Sequence, residues 1–263
     1  MPKRSAGVTI KVGISRISVA FHQQGKIVRI RTCPTPTTDH ETSLRSFFTL
    51  LWMDLPPQDL EAVLVCVVPD LKNLVKALWI ERSQQSVVDF SLERSRLIVD
   101  YHPPEGLGND RIAAAWGAFD RLENRVGSSF VIADFGTHTV LTVCQERHLL
   151  GGAILPGIHL MARCIGAGRV TLIDEAHLLT KDKIISGKAI GSSTEEGIFS
   201  GVVMGSVEAV LGLRKNAEDE LGEHLPMILT GGLAYFIAPL FPSGVHINRQ
   251  LLHYGAWRFL AEN

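Results

Sequence analysis

Val131-Ile-Ala-Asp-Phe-Gly-Thr-His-Thr-Val140 carries an acid to the end of an apolar run, turns through glycine and threonine, and opens a second β-type run that lasts to Val143. The pattern reads as a β-hairpin with Asp134 at its turn. Backbone N–H groups of such a turn, with hydroxyls at Thr137 and Thr139, suit phosphate oxygens, and the carboxylate suits a cation. Asp and Gly are also ordinary turn formers, so a plain hairpin explains this segment equally well.

The same plan occurs near the N-terminus. Residues 8–20 read as two β runs around Gly13 and Ser15, followed by the turn Gln23-Gln-Gly25 and a run over 27–31. In the second half, 130–143 is followed by the turn Gln145-Glu-Arg147 and a run over 148–154. Each half continues into β and helical patterns, 62–68 and 71–82 in the first, 194–213 in the second. Alternating β and α patterns argue α/β layers. The repeat predicts two similar domains, 8–116 and 117–263, facing one another across a cleft, with a glycine hairpin from each bracketing a nucleotide.

Between the repeats lies Tyr101-His-Pro-Pro-Glu-Gly-Leu-Gly-Asn-Asp-Arg111, leading into a helical run over 112–122. Glycines before a helix N-terminus make a small-anion site. Asp110 is suited to accept a proton from a substrate hydroxyl, and Arg111 to grip a carboxylate with two parallel hydrogen bonds. A simple helix cap at Asn109 or Asp110 explains the same residues. Thr230-Gly-Gly232 follows the apolar Met227-Ile-Leu229, so a strand ends where backbone can approach a ligand closely. Gly151-Gly-Ala-Ile-Leu-Pro-Gly157 suggests tight packing nearby. Neither a Gly-x-x-x-x-Gly-Lys-Ser/Thr phosphate loop nor a Gly-x-Gly-x-x-Gly occurs, which speaks against Walker-type and Rossmann sites.

Composition narrows the class. The 263 residues are 46% hydrophobic and 20% charged, enough apolar material for one large or two modest cores. A formal net charge of -1 advertises neither nucleic acid nor an anionic membrane as partner. No apolar stretch approaches the roughly 20 residues that cross a bilayer. Met1-Pro-Lys-Arg-Ser-Ala-Gly7 lacks the core of a signal peptide and reads as a disordered lead-in. Cys33, Cys66, Cys144 and Cys164 form no Cys-x-x-Cys pair, which fits a reduced, cytoplasmic chain. The ten histidines lack metal-ligand spacing.

Taken in order, these pieces resemble the type III pantothenate kinases of bacteria, over residues 8–240. The resemblance implies the actin-like, sugar-kinase-like α/β fold of two ribonuclease-H-like domains. It implies ATP-dependent phosphorylation of pantothenate to 4′-phosphopantothenate, the first step of coenzyme A biosynthesis, by a homodimer. Four family segments are present: Gly108-Asn-Asp-Arg111, Asp134-Phe-Gly-Thr137, Gly151 to Gly157, and Thr230-Gly-Gly232. Carried over, Asp110 is the base, and Tyr101, Gly108, Asn109, Asp110 and Arg111 hold pantothenate. Asp134 coordinates potassium or ammonium, Thr137 contacts ATP, and Gly231 and Gly232 border the nucleotide. Thr194, in Gly187-Lys-Ala-Ile-Gly-Ser-Ser-Thr194, falls where the family has a substrate threonine.

The opening motif departs from the family's Ile-Asp-x-Gly-Asn-Thr. Here it is Ile10-Lys-Val-Gly-Ile-Ser15, so Lys11, Gly13 and Ser15 occupy the nucleotide-phosphate position. Lysine cannot ligate the magnesium that accompanies ATP, because magnesium takes oxygen donors; it can contact phosphate as a point charge. Thr142 stands where the family often has a second aspartate. Two functions remain open at this stage: a working pantothenate kinase, or a catalytically impaired relative that keeps the pocket for ligand binding or regulation. A phosphotransferase of the same fold with another acceptor is a third, disfavoured by the Tyr101 and Gly-Asn-Asp-Arg signature.

Overall fold

The computed structural model describes residues 4–53, 60–95, 97–167 and 189–262. The chain forms two compact units, one of Met1–Leu97, His102–Arg121 and Leu251–Asn263, the other of Ile98–Tyr101 and Leu122–Gln250.

In the first unit, β1 (Ala6–Val12), β2 (Arg16–Gln23) and β3 (Lys26–Pro34) run antiparallel. The β2–β3 connection is the two-residue turn Gln24-Gly25, with φ of 50° and 75°. Positive φ at both positions gives the turn whose twist matches the strands it joins. After α1 (His40–Met53), β4 (Ala62–Cys66) pairs in parallel with β1. Next come α2 (Pro69–Ser83), which starts on a proline, and β5 (Val87–Asp89), completing the order β3-β2-β1-β4-β5. Residue alternation sends Val8, Ile10 and Val12 to one face, where they bury with Leu44 and Phe48 of α1 and Leu71, Val75 and Trp79 of α2. Ala6 and Gly7 already pair with Gln23 and His22, so the expected disordered lead-in is shorter than the sequence suggested.

β6 (Ile98–Val99) belongs to the second unit, and α3 (Asn109–Val126) runs from the first unit into the second. β7 (Phe130–Phe135) and β8 (His138–Gln145) form the hairpin expected around Asp134. A second two-residue turn with positive φ, Glu146-Arg147, leads to β9 (His148–Gly151), and β10 (Ile154–Pro156) returns to pair with β8. The repeat read from sequence is therefore a repeat of hairpin chemistry as well as of pattern. α4 (Ile158–Ala167) follows.

Residues 194–221 are helical throughout, as α5 (Thr194–Phe199), a π-helical segment Ser200–Met204, and α6 (Gly205–Leu221). By length and composition alone this helix would pass as a membrane span. Its apolar side is spoken for: Phe199, Val202, Val203, Val207 and Val210 are buried against Val131, Phe135 and Leu141. β11 (Met227–Thr230) pairs in parallel with β7, α7 (Ala234–Ile237) follows, and β12 (His246–Ile247) pairs with β11. The sheet order is β12-β11-β7-β8-β9-β6.

The C-terminal helix α8 (Leu251–Glu262) packs in the first unit, on the face of β1 opposite its core. The expected domain bounds assigned it to the second domain. α8 crosses α3 at two glycines: a Cβ on Gly117 would collide with the Leu251 carbonyl, and one on Gly255 with that of Ala113. His253 of α8 is fully inside; its Nδ1 lies 2.7 Å from Thr9 Oγ1 and its Nε2 2.8 Å from Ser18 Oγ. Thr9 Oγ1 also meets His22 Nε2 at 3.0 Å, and the His22 ring stacks on Trp257 at 5.0 Å. Burial, with Arg121 adding to it at His22, pushes both imidazoles down to about 3, so both are neutral.

Candidate active site

In open α/β sheets ligands collect at the carboxyl ends of the strands. In the first unit the parallel strands β1, β4 and β5 end at Val12, Cys66 and Asp89, and the candidate residues cluster on that edge. Lys11 is half-buried and opposite Ser18 and Val65. The β1–β2 turn is braced: Gly13 N donates to Arg16 O at 3.1 Å, Thr35 Oγ1 donates to Gly13 O at 2.6 Å, and Thr35 N donates to Ser15 O at 3.1 Å. Ser15 is exposed, and so is Ile14 at 54%. At the same edge Asn109 Nδ2 donates to Phe90 O at 3.3 Å, fastening the start of α3 to the residue that follows β5. Asp110 Oδ1 accepts the Arg111 N–H at 2.9 Å, inside the first turn of α3. The side chain of Asn109 is therefore an anchor, and Asp110 and Arg111 are half-buried at a helix N-terminus that favours anions.

The second unit repeats the arrangement. β7 and β11 run parallel, with Asp134 level with Thr230. Gly231 then turns with φ of 92°, and a Cβ there would strike Asp134 Oδ1 and sit 2.6 Å from Phe135 O. Only glycine allows the turn to press against the acid in this way. Leu233 N closes the loop on Phe135 O at 3.2 Å. From the other side Gly157 N donates to Thr137 O at 3.1 Å, and a Cβ on Gly157 would lie 2.6 Å from Gly136 O. Asp134, Thr137, Gly231 and the Gly151-to-Gly157 segment are thus brought together. Thr139 is not part of this group: it is 1% exposed and lies opposite Phe135, on the face that carries the core. The expectation of two phosphate-facing hydroxyls reduces to Thr137.

Tyr101 follows β6, whose neighbour Asp100 is held by its N–H to Leu149 O at 3.0 Å and by Oδ2 to His148 Nδ1 at 2.8 Å. Its ring lies against Gly151, 3.4 Å from where a Cβ would be. Thr194 is exposed at the start of α5, with Ser193 capping the helix through its Oγ to Glu196 N at 3.2 Å. Gly187 and Lys188, which precede it in the candidate segment, lie outside the described residues.

The donors around Asp134 suit a hard cation. Asp134 Oδ1 and the Phe135 carbonyl converge on Gly231, and both are oxygens. Among the described residues no three His, Cys, Asp or Glu side chains gather into a metal cage.

Two α/β units, each ending its strands at a glycine hairpin, make an actin-like, sugar-kinase-like fold. Solved structures agree: a Baf family protein from Campylobacter jejuni superposes with a TM-score of 0.63 at 17% identity, covering 97% of this chain and 98% of that one. The ROK hexokinase of Thermus thermophilus gives 0.54 at 12% identity, covering 97% and 98%. The profile of the type III pantothenate kinases matches residues 8–216, and the chain belongs to that family. The type III pantothenate kinase of Thermomicrobium roseum is 37% identical over 155 residues, 59% of this chain and 56% of that protein. That of Roseiflexus castenholzii is 30% identical over 239 residues, covering 88% and 89%. The family membership bears out the resemblance read from the motifs. Arg249 and the helix α8 carried no signal in the sequence reading; both follow the last family motif.

Proposed function

We propose that this chain transfers the γ-phosphoryl group of ATP to the hydroxyl of pantothenate, with Asp110 as base. The hydroxyl oxygen bonds to the γ-phosphorus as the bond to the bridging oxygen of ADP breaks, and the hydroxyl proton passes to Asp110. Arg111 pairs with the pantothenate carboxylate, and Gly108, Asn109, Tyr101 and Thr194 complete that side. Asp134 holds potassium or ammonium, which supplies positive charge near the phosphates, and Thr137, Gly231 and Gly232 meet the nucleotide. The observation that carries this reading is that the family match, residues 8–216, contains every one of these positions except the late glycines. An ADP-release assay with and without pantothenate tests it; ADP release independent of pantothenate refutes the assignment.

The second reading, a ligand-binding relative with impaired catalysis, is favoured by Lys11 and the exposed Ile14. Pantothenate and ATP binding without turnover selects it.

We also infer a homodimer and a cytoplasmic location. Met204, Val207, Val210 and Leu211 fall at helical spacing, as a dimer face or a core face would. Val207 and Val210 are buried in the second unit's own core, and Met204 and Leu211 pack against it. The other side of the helix carries Gly197, Gly201 and Gly205, exposed at four-residue spacing, with open space beyond the Cβ positions of Gly197 and Gly201. None of the four cysteines is in a disulfide, in keeping with a reducing compartment.

A further inference from the structure

We propose that Arg249 is a positioning residue on the nucleotide side, a guanidinium strut that fixes the Thr230-Gly231-Gly232 turn against Asp134. The inference rests on the reading of that turn as a nucleotide contact. Arg249 follows β12, and the chain there is held by Asn248 N donating to Leu229 O at 2.9 Å and by Asn248 Oδ1 accepting Gln250 N at 2.9 Å. From this fixed point Arg249 Nε donates to Gly231 O at 3.2 Å. Ala234 N also donates to that carbonyl, at 3.5 Å, so the arginine makes the shorter bond. The carbonyl belongs to the residue at which an added Cβ would strike Asp134 Oδ1. A shift of the turn therefore changes the space and the oxygen field around the acid directly.

The guanidinium is exposed and lies 5.8 Å from the ring centroid of Tyr235, which is itself 59% exposed. One of five N–H donors is used on Gly231, and the remaining positive fork stands where a nucleotide's anionic or π-rich parts would be drawn to it. Held between a strand end and an aromatic ring, the arginine sets the turn before the nucleotide arrives, which reduces the ordering cost of binding.

The test is calorimetric titration of the full chain with magnesium-ADP, paired with steady-state kinetics in ATP, pantothenate and potassium. Arg249→Ala is expected to weaken magnesium-ADP binding about tenfold, the loss of one charge-assisted hydrogen bond. It should raise KM for ATP and the potassium concentration for half-activation, leave KM for pantothenate unchanged, and leave the far-UV circular dichroism unchanged. Arg249→Lys should restore part of the affinity. Unchanged magnesium-ADP affinity in Arg249→Ala overturns the proposal, as does an equal loss of nucleotide and pantothenate affinity with a lowered Tm. A wild-type chain that binds magnesium-ADP without phosphorylating pantothenate refutes the proposed activity, and the calorimetric comparison then still decides the role of Arg249.

Discussion

Lowering the pH from 7.5 to 5.5 is expected to cost the first unit about 3 kcal/mol, through two buried histidines that take no part in the proposed chemistry. His253 bridges Thr9 and Ser18, and Thr9 meets His22, so one hydroxyl group serves two rings. The arrangement that leaves no buried N–H bare has His22 Nε2 donating to Thr9, Thr9 donating to His253 Nδ1, and His253 Nε2 donating to Ser18. His22 Nδ1 is then a bare acceptor, and it is buried with no partner among the described residues. Protonation would place an N–H there with nothing to receive it. Arg121 opposes the charge at His22, and His22 and Lys11 oppose it at His253.

Both rings fall from the ordinary 6.5 to about 3 in the fold. A depressed folded value contributes stability that is complete above 6.5 and is lost as the pH falls towards 3, because the unfolded chain takes up the protons first. At pH 5.5 each ring costs about 1.4 kcal/mol relative to pH 7.5, and the pair about 3 kcal/mol. Urea unfolding at pH 7.5, 6.5 and 5.5 measures this, with tryptophan fluorescence as one probe because Trp257 stacks on His22. His253→Asn should halve the slope even though its starting stability is lower. Wild-type stability that is flat or rises over this window refutes the reasoning, since carboxylates titrate mainly below it.

Arg111→Ala should weaken pantothenate binding by about 2–4 kcal/mol, as loss of a charge-assisted pair in a desolvated site does, and calorimetry measures it. Asp110→Asn should leave pantothenate affinity largely intact while abolishing turnover in the ADP-release assay. Gly231→Ala forces a side chain into a positive-φ turn that touches Phe135 O; a loss of about 2 kcal/mol or more is expected in urea unfolding, with weakened nucleotide binding. Lys11→Asp combined with Ile14→Asn should raise the rate and its magnesium dependence, and a fast wild type slowed by Lys11→Asp would show lysine already serving the phosphates.

The sequence exposed what is local. The β1–β2 and β7–β8 hairpins, Pro69 opening α2 and the close approach at Thr230-Gly-Gly232 all depend on residues near one another in the chain. It concealed what depends on distant partners. Thr139 looked like a phosphate ligand because its period-2 face is set by β10 and the core, which no local pattern declares. The apolar stripe of Met204 to Leu211 fits a dimer face or a core face equally, and only the position of β7 and β8 decides for the core. α8 joins the first unit through His253, Gly255 and Trp257, whose partners lie on β1, β2 and α3; nothing in residues 251–262 names those partners.

The placement of Lys11 sharpens the choice between an active kinase and a silent relative. Along β1 the residues Val8, Ile10 and Val12 enter the core, so Thr9 and Lys11 share the opposite face. Thr9 is sealed by α8, whereas Lys11, two residues further towards the turn, remains half-buried at the carboxyl edge where Gly13 and Asn109 lie. A unit charge near a phosphate oxygen at about 4 Å is worth about 4 kcal/mol at the effective dielectric of a protein surface. An acid at this place repels phosphate by that amount unless a metal intervenes, and a lysine attracts phosphate by the same amount without one. If Lys11 meets the phosphates, the exchange removes the need for a metal at the β1 turn together with its ligand, and nucleotide binding is expected to survive it. What it forfeits is a divalent ion's ability to follow charge onto the leaving oxygen during transfer. The chain should consequently bind ATP well with little magnesium dependence, and any deficit should appear in kcat rather than in KM for ATP.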